Sequence, residues 1–222
     1  MIVGKLKEPA EIRAMIKGYD KVLVLGCDGC VTICQTGGAQ EARVLARLLA
    51  LDESGGSFSC QTVSRQCEWE FLKEIKDQVE QSQIVVSTAC GIGVQAMNEY
   101  FPAIATVPAL DTEFLGMPVE HGVFEERCQA CGDCMLHLTG GICPVARCAK
   151  SLMNGPCGGS QDGKCEISPN ILCAWQLIYD RLTQLGQLDR LLGIQEPKDW
   201  SLSRDGGLRR MAREDLILDD EE

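Results

Sequence analysis

The sequence predicts an α/β protein with a doubly wound, parallel-sheet N-terminal domain and a cysteine-rich, metal-organised C-terminal domain. Over residues 1–110, short apolar runs rich in β-branched residues alternate with segments of helical periodicity, which favours βαβ crossovers and a parallel sheet. Beyond this point the alternation stops, and eight of the fourteen cysteines fall within residues 128–173. We therefore expect one domain over 1–110, a cysteine-rich iron–sulfur domain over 111–185, and a C-terminal helix with an acidic tail over 186–222.

Each element of the N-terminal domain is predicted from apolar spacing, with a period of about 3.6 for helices and β-branched runs for strands. In chain order the prediction is a helix over 8–20, a strand over 21–27, a helix over 39–53, a strand over 59–64, a helix over 68–82, a strand over 83–91, a helix over 94–101 and a strand over 103–109. The apolar face of the second helix is expected to consist of Val44, Leu45, Leu48 and Leu49, which have helical spacing. The segment ESGGS is expected to end this helix. A last helix is expected over 173–194, packed through Trp175, Ile178, Leu182 and Leu185.

Composition excludes several classes of protein. The formal net charge of −11 and the lack of a basic stripe argue against a nucleic-acid partner. The apolar runs are too short to span a bilayer, and the start of the chain does not resemble a secretion signal. Fourteen cysteines in such a chain indicate a reducing cytoplasm, where crowded thiols are more often metal ligands or redox groups than disulfides.

Five cysteines of the N-terminal domain follow the ends of predicted strands. Cys27 ends the first strand, Cys30 and Cys34 come just after it, Cys67 follows the second strand and Cys90 follows the third. Because parallel strands end along one edge of a sheet, we expect these thiols to meet there as metal ligands.

The thiols at this sheet edge suit more than one ligand. A tetrahedral zinc or a 4Fe-4S cluster would both suit four thiols. Gly26, Gly29 and Gly91 are expected to let the backbone approach a bulky inorganic group. GCDGC followed by TGG could instead bind phosphate, but the GxGxxG order is absent. Cys60 falls outside the pattern and is expected to be a small buried apolar residue.

The C-terminal cysteines carry the strongest single motif of the chain. Cys128, Cys131 and Cys134 form a C-x2-C-x2-C run, and Cys143 is followed by proline. This spacing is typical of iron–sulfur proteins, although eight residues precede Cys143 instead of the three of bacterial ferredoxins. The cysteines that could complete the ligand sets are Cys143, Cys148, Cys157, Cys165 and Cys173, of which the first four are included in the predicted set.

No catalytic constellation is evident. The two histidines, His121 and His137, stay unassigned, and no Ser/His/Asp or Cys/His arrangement or carboxylate pair stands out. The sequence therefore predicts a non-catalytic subunit more readily than a stand-alone enzyme.

Motifs spread over nearly the whole chain resemble one known family. These motifs are GCDGCVTICQTGG, RQCEWEFL, ACGIGVQ, ERCQACGDC, TGGICPVARCAKSLMNGPCGGSQDGKCE and CAWQLIYDRL. Together they resemble the MetV-type small iron–sulfur subunits that accompany methylenetetrahydrofolate reductase in acetogenic and related anaerobic bacteria. NGPCGGS also resembles the C-terminal domain of some single-chain reductases of that activity.

The resemblance implies a cytoplasmic subunit of the acetyl-CoA pathway. It implies cluster binding and electron transfer to a flavin-bearing catalytic subunit that carries FMN. The cysteines themselves predict two or three 4Fe-4S clusters, with zinc as the alternative at one site. The eight C-terminal thiols could hold two clusters, or one cluster together with structural thiols or a zinc. The resemblance leaves open a larger electron-bifurcating or hydrogenase-linked complex, and a structural zinc-binding role in the same complex as the alternative function.

Overall fold

The computed structural model describes residues 1–51, 56–213 and 215, within two compact units, Met1–Glu126 and Arg127–Glu222. The sequence analysis placed the first division earlier, after residue 110. Most of the ESGGS segment and most of the acidic tail lie outside the described residues.

The first unit contains seven strands and six α-helices among its described residues. The strands are β1 (Ile2–Leu6), β2 (Lys21–Cys27), β3 (Ser57–Val63), β4 (Ile84–Ser87), β5 (Thr106–Pro108), β6 (Leu110–Glu120) and β7 (Val123–Cys128). The helices are α1 (Pro9–Met15), α2 (Cys30–Ile33), α3 (Ala39–Ala50), α4 (Trp69–Leu72), α5 (Lys76–Glu80) and α6 (Gly91–Tyr100).

A parallel sheet with strand order β3-β2-β4-β5 forms the centre of this unit. Successive residues of β2 point to opposite faces, so Val22 and Val24 pack with α1 and α3, whereas Leu23 and Leu25 pack with the helices between β3 and β5. Burial of both faces explains the continuous apolar run in β2. The prediction of an α/β fold with a parallel sheet and helices is confirmed.

The strand order places a topological switch between β2 and β4. From β2 the chain passes to β3 on one side and then returns to β4 on the other side of β2. Ligand sites in open α/β sheets form at the carboxyl ends of strands beside such a switch. Cys27, at the end of β2, and Cys90, just after β4, therefore lie where this topology favours a site.

A second sheet, with order β1-β6-β7, was not predicted. Its strand β1 precedes the expected first helix and pairs antiparallel with β6. The sequence signal was weak because β1 is a short strand that is only partly buried. The helix predicted over 68–82 is divided into α4, a 3-10 turn over Lys73–Ile75, and α5.

Two predictions about individual residues in this unit are wrong. Cys60 is exposed on β3 rather than buried, because β3 is an edge strand of the parallel sheet. Val44 is 58% exposed, whereas Leu45 and Leu49 form the buried face of α3. Close packing of β2 against β3 accounts for the glycine at position 26, since a Cβ there would lie 2.7 Å from the Thr62 hydroxyl oxygen.

The second unit contains two short strands and two α-helices among its described residues. These elements are α7 (Pro144–Arg147), β8 (Lys164–Cys165), β9 (Ser168–Leu172) and α8 (Ala174–Gln184). Trp175, Ile178 and Leu182 of α8 form its small apolar core. The predicted last helix is too long: Gly186, with φ of 65°, follows α8, a 3-10 turn covers Leu188–Leu192, and Leu185 is 41% exposed instead of packed.

None of the helices in the described part of the chain is long and apolar enough to cross a membrane.

Gly37 offers a direct test of the packing around the sheet edge. A Cβ at this position would lie 1.9 Å from the Thr88 carbonyl oxygen. We expect Gly37→Ala to lower the free energy of unfolding by about 2 kcal/mol, because overpacking in a tight interior typically costs 1–3 kcal/mol. Denaturant unfolding measures the loss. Gly91→Ala is the control, because its new Cβ would meet nothing closer than 3.5 Å. Equal losses of stability in both variants would show that close packing at position 37 is not the cause.

Candidate metal centres

Four thiols from three strand ends form the first candidate centre, here called the sheet-edge site: Cys27, Cys30, Cys67 and Cys90. Cys27 ends β2, Cys30 begins α2, Cys67 lies between β3 and α4, and Cys90 directly precedes α6. In addition to burial, charge on Cys90 and Cys30 raises the pKa of the Cys27 thiol, and charge on Cys27 and Cys90 raises the pKa of the Cys67 thiol. These thiols therefore lie close enough to interact electrostatically. The structure thus brings together cysteines up to 63 positions apart in sequence.

Backbone hydrogen bonds fix the strand ends that carry these thiols. The Cys27 N–H donates to the Gly37 carbonyl at 2.9 Å, and the Asp28 N–H donates to the Val63 carbonyl of β3 at 2.9 Å. The Thr88 hydroxyl donates to the same Gly37 carbonyl at 2.6 Å. The loop after β2 is therefore tied to both neighbouring strands, which limits movement of Cys27 relative to Cys90.

A fully buried glutamine lies beneath the site. Gln66 Nε2 donates to the carbonyls of Leu25 and Gly26 at 2.9 and 3.1 Å. Its Oε1 accepts from the Ser87 hydroxyl at 2.6 Å. Sequence reasoning missed Gln66, because a glutamine beside a cysteine in a loop gives no signal of burial. Its position one residue before Cys67 means that the buried side chain anchors this ligand candidate to β2 and β4.

The protonation of the sheet-edge thiols follows from their surroundings. Burial raises the pKa of the Cys27 thiol, and Cys90 and Cys30 add to this effect, while main-chain N–H groups of Gln66 and Gly29 oppose it. Partial desolvation of the sulfur raises the pKa of Cys67, although the residue as a whole is exposed. Both thiols are therefore protonated at neutral pH without a metal, and metal binding would displace these protons.

Cys34 was predicted with this group but points elsewhere. Its Sγ lies 3.4 Å from the Ile2 carbonyl oxygen and 3.5 Å from that of Cys30. Burial raises the pKa of the Cys34 thiol, and Cys30 is the one cysteine that contributes to the shift. Cys34 therefore contacts β1, whereas Cys27, Cys67 and Cys90 lie close enough to interact electrostatically with one another.

The second candidate centre, here called the triplet site, comprises Cys128, Cys131, Cys134 and Cys143. All four line one cavity of about 280 Å³. Ala130 and Gly132, with φ of 52° and 86°, turn the backbone between the cysteines. The N–H groups of Ala130 and Ala146 donate to the sulfurs of Cys128 and Cys143 at 3.3 and 3.4 Å.

Two cations from the C-terminal segment hold the loop of the triplet site. Lys198 Nζ donates to the Asp133 carbonyl at 2.8 Å, and its side chain is only 2% exposed. Arg209 Nη1 donates to the Ala130 carbonyl at 2.7 Å. Two positively charged side chains therefore fix the backbone between the cysteines of this site.

The third candidate centre, here called the hairpin site, comprises Cys148, Cys157, Cys165 and Cys173. All four line a small cavity of about 20 Å³ beside β8 and β9. Cys157 has a lowered pKa, because the Gly159 N–H hydrogen bonds to its sulfur and the Lys150 cation lies nearby. Cys173 was a candidate in the sequence but stood outside the predicted set, and in the structure it directly precedes α8 and lines this cavity with the other three cysteines.

The chemistry of the three donor sets is uniform. All fourteen cysteines are free thiols, and the residues lining the cavities of the triplet and hairpin sites include no histidine. Thiolate donors suit zinc and iron–sulfur clusters and do not suit magnesium or calcium. Among the described residues, no three His, Cys, Asp or Glu side chains are already gathered to hold a metal ion. The sheet-edge site is therefore defined by the strand ends at which its cysteines lie, and the other two sites are defined by the cavities that their cysteines line.

Comparison with protein families concerns the second half of the chain. The family described as "Methylene-tetrahydrofolate reductase C terminal" matches residues 107–201. This part of the chain is similar to the C-terminal region that the family describes. It contains every cysteine of the triplet and hairpin sites. No curated protein and no solved structure matches the chain.

Proposed function

We propose that this protein is an iron–sulfur subunit of a methylenetetrahydrofolate reductase complex, which passes electrons to a flavin-bearing catalytic subunit. The sheet-edge and triplet sites would each hold one 4Fe-4S cluster through four cysteines. The observation that carries the proposal is the convergence of Cys27, Cys30, Cys67 and Cys90 from three strand ends. The match of residues 107–201 supports the association with the reductase.

The residues around each site suit a cluster. An iron–sulfur cluster supplies one-electron transfer at a potential that its hydrogen bonds, charge and exposure adjust. The N–H groups of Ala130 and Ala146 already donate to sulfurs of the triplet site. Lys198 and Arg209 would offset part of the negative charge of that site. The chain's own residues therefore bind, neutralise and partly shield the group.

Exposed apolar side chains beside the sheet-edge cysteines support docking of the flavin-bearing subunit at this surface. Ile33, Trp69 and Ile92 are 58%, 56% and 56% exposed, and each lies within three residues of a cysteine of the site. Large apolar residues in such positions are typical of interaction surfaces. Cys67 is itself exposed, which favours a short distance between the site and a docked flavin.

The native complex tests the proposal. Purified without oxygen, it should be brown, contain about eight iron and eight sulfide per copy of this chain, and retain a flavoprotein with methylenetetrahydrofolate reductase activity. Iron, sulfide and zinc analysis with visible spectra before and after reduction measures this. A colourless protein with zinc and no labile sulfide would instead support a structural zinc-binding subunit. A chain isolated alone beside a fully active reductase would also contradict the proposal.

A further inference from the structure

We propose that the hairpin site binds a single structural zinc ion through Cys148, Cys157, Cys165 and Cys173. Nothing in the family match assigns a metal to these residues. The inference is independent of electron transfer, because it concerns a different set of ligands from the two proposed cluster sites.

The space between the thiols favours a single ion. The four cysteines line a cavity of about 20 Å³, whereas the cavity lined by the triplet cysteines measures about 280 Å³. A 4Fe-4S cluster brings four irons and four sulfides between its ligands, but zinc needs only the centre of a tetrahedron of sulfurs. The donor set is complete for zinc, since structural sites commonly use four cysteines and leave no open position.

The local fold needs the cross-link that an ion would supply. Strands β8 and β9 contain two and five residues, and an isolated two-stranded hairpin of this size is at best marginally stable. Cys165 lies in β8, Cys148 follows α7, and Cys173 precedes α8. One ion bound to these residues would tie the hairpin to both helices.

The apolar core beside the site is too small to do this alone. It consists of the buried Trp175, Ile178 and Leu182, against which the partly buried Cys148 and Cys173 pack. Small folds with few buried apolar residues commonly obtain stability from a structural metal, whose binding free energy becomes folding free energy. Zinc bound to Cys148 and Cys173 would hold in place two residues that pack against this core, and so would link the core to the hairpin.

The charges near the site also suit a tetrathiolate ion. Zinc with four thiolates carries a net charge of about −2. Lys150 lines the cavity and forms an ion pair with Glu166, the residue that follows Cys165. A cation in this place would partly neutralise the bound metal, while Glu166 keeps it oriented toward the hairpin.

Metal analysis of the full chain, made with iron and zinc both supplied and purified without oxygen, tests the inference. The unmodified protein should contain about one zinc, and zinc X-ray absorption should show four sulfurs at about 2.3 Å. Cys165→Ser and Cys173→Ser should each lose that zinc and keep their iron and sulfide. Cys60→Ser, which changes an exposed cysteine outside all three sites, should keep both metals.

Three results would overturn the inference: no zinc in the unmodified protein, a zinc shell containing nitrogen or oxygen ligands, or loss of about four iron in Cys173→Ser. The absorption measurement needs no variant, so the test holds even if the substituted proteins fail to fold. Zinc at all three sites would overturn the proposed electron-transfer function but support this inference, provided that Cys173→Ser still loses one zinc.

Discussion

Serine in place of Cys67 or Cys90 should remove about four iron and four sulfide from the protein, one cluster's content. Each of these cysteines follows a different strand, and each interacts electrostatically with Cys27. A cluster that loses one of four ligands at a partly exposed edge is open to water and oxidation. Iron and sulfide analysis after anaerobic purification measures the loss, and both variants should retain the triplet-site cluster.

Two further serine variants give this experiment its specificity. Cys60→Ser should leave iron unchanged, since Cys60 is exposed in the middle of the edge strand β3, opposite Val24 of β2. Cys34→Ser should also keep the cluster, because the Cys34 sulfur faces the Ile2 carbonyl. Loss of iron in Cys34→Ser together with full iron in Cys90→Ser would contradict the proposed ligand set. The ligands would then be Cys27, Cys30, Cys34 and Cys67.

Electron delivery provides a functional readout of the same variants. If the sheet-edge cluster lies between the donor and the flavin, Cys67→Ser should slow reduction of the flavin by the physiological donor. A small dye that reaches the flavin directly should be affected less. Equal slowing with both donors would indicate a damaged flavoprotein instead of an interrupted electron path.

The sequence was sufficient to predict the parallel sheet and the positions of Cys27 and Cys90 at the carboxyl ends of its strands. The continuous apolar run of β2 indicated a strand buried on both faces, and strand alternation then placed Cys27 and Cys90 at the same end. Which four of the five thiols form the compact set could not be predicted. That choice depends on the direction of the short helix α2, which turns Cys34 toward β1, an element that the sequence did not reveal.

The grouping of the C-terminal cysteines could not be predicted for a related reason. The C-x2-C-x2-C run identified three members of the triplet site, but the fourth depends on which later cysteine the fold brings near these three. Cys143 and Cys148 are only five residues apart, yet α7 lies between them and they line different cavities. Cys173 escaped the predicted set because Cys165, which lines the same cavity, is brought near it by the pairing of β8 and β9, and these short strands have little periodicity.

The buried Gln66 leads to the last prediction, which concerns stability. Gln66→Leu should lower the local free energy of opening by about 3 kcal/mol, because the Gly26 carbonyl and the Ser87 hydroxyl lose the hydrogen bonds that this side chain supplies. The Leu25 carbonyl would keep its bonds from Thr88, so it contributes less to the loss. Leucine retains similar bulk, which separates the polar loss from any cavity.

Native-state hydrogen exchange measures this effect within the first unit alone. The amides of β2 and β4 should exchange roughly 100-fold faster in Gln66→Leu than in the unmodified protein, as expected for about 3 kcal/mol. Gln78→Leu is the matched control, since Gln78 is exposed on α5 and the same substitution there removes no buried hydrogen bond. Unchanged exchange in Gln66→Leu would show that the strand ends beneath the sheet-edge site are held by their backbone bonds, without help from this side chain.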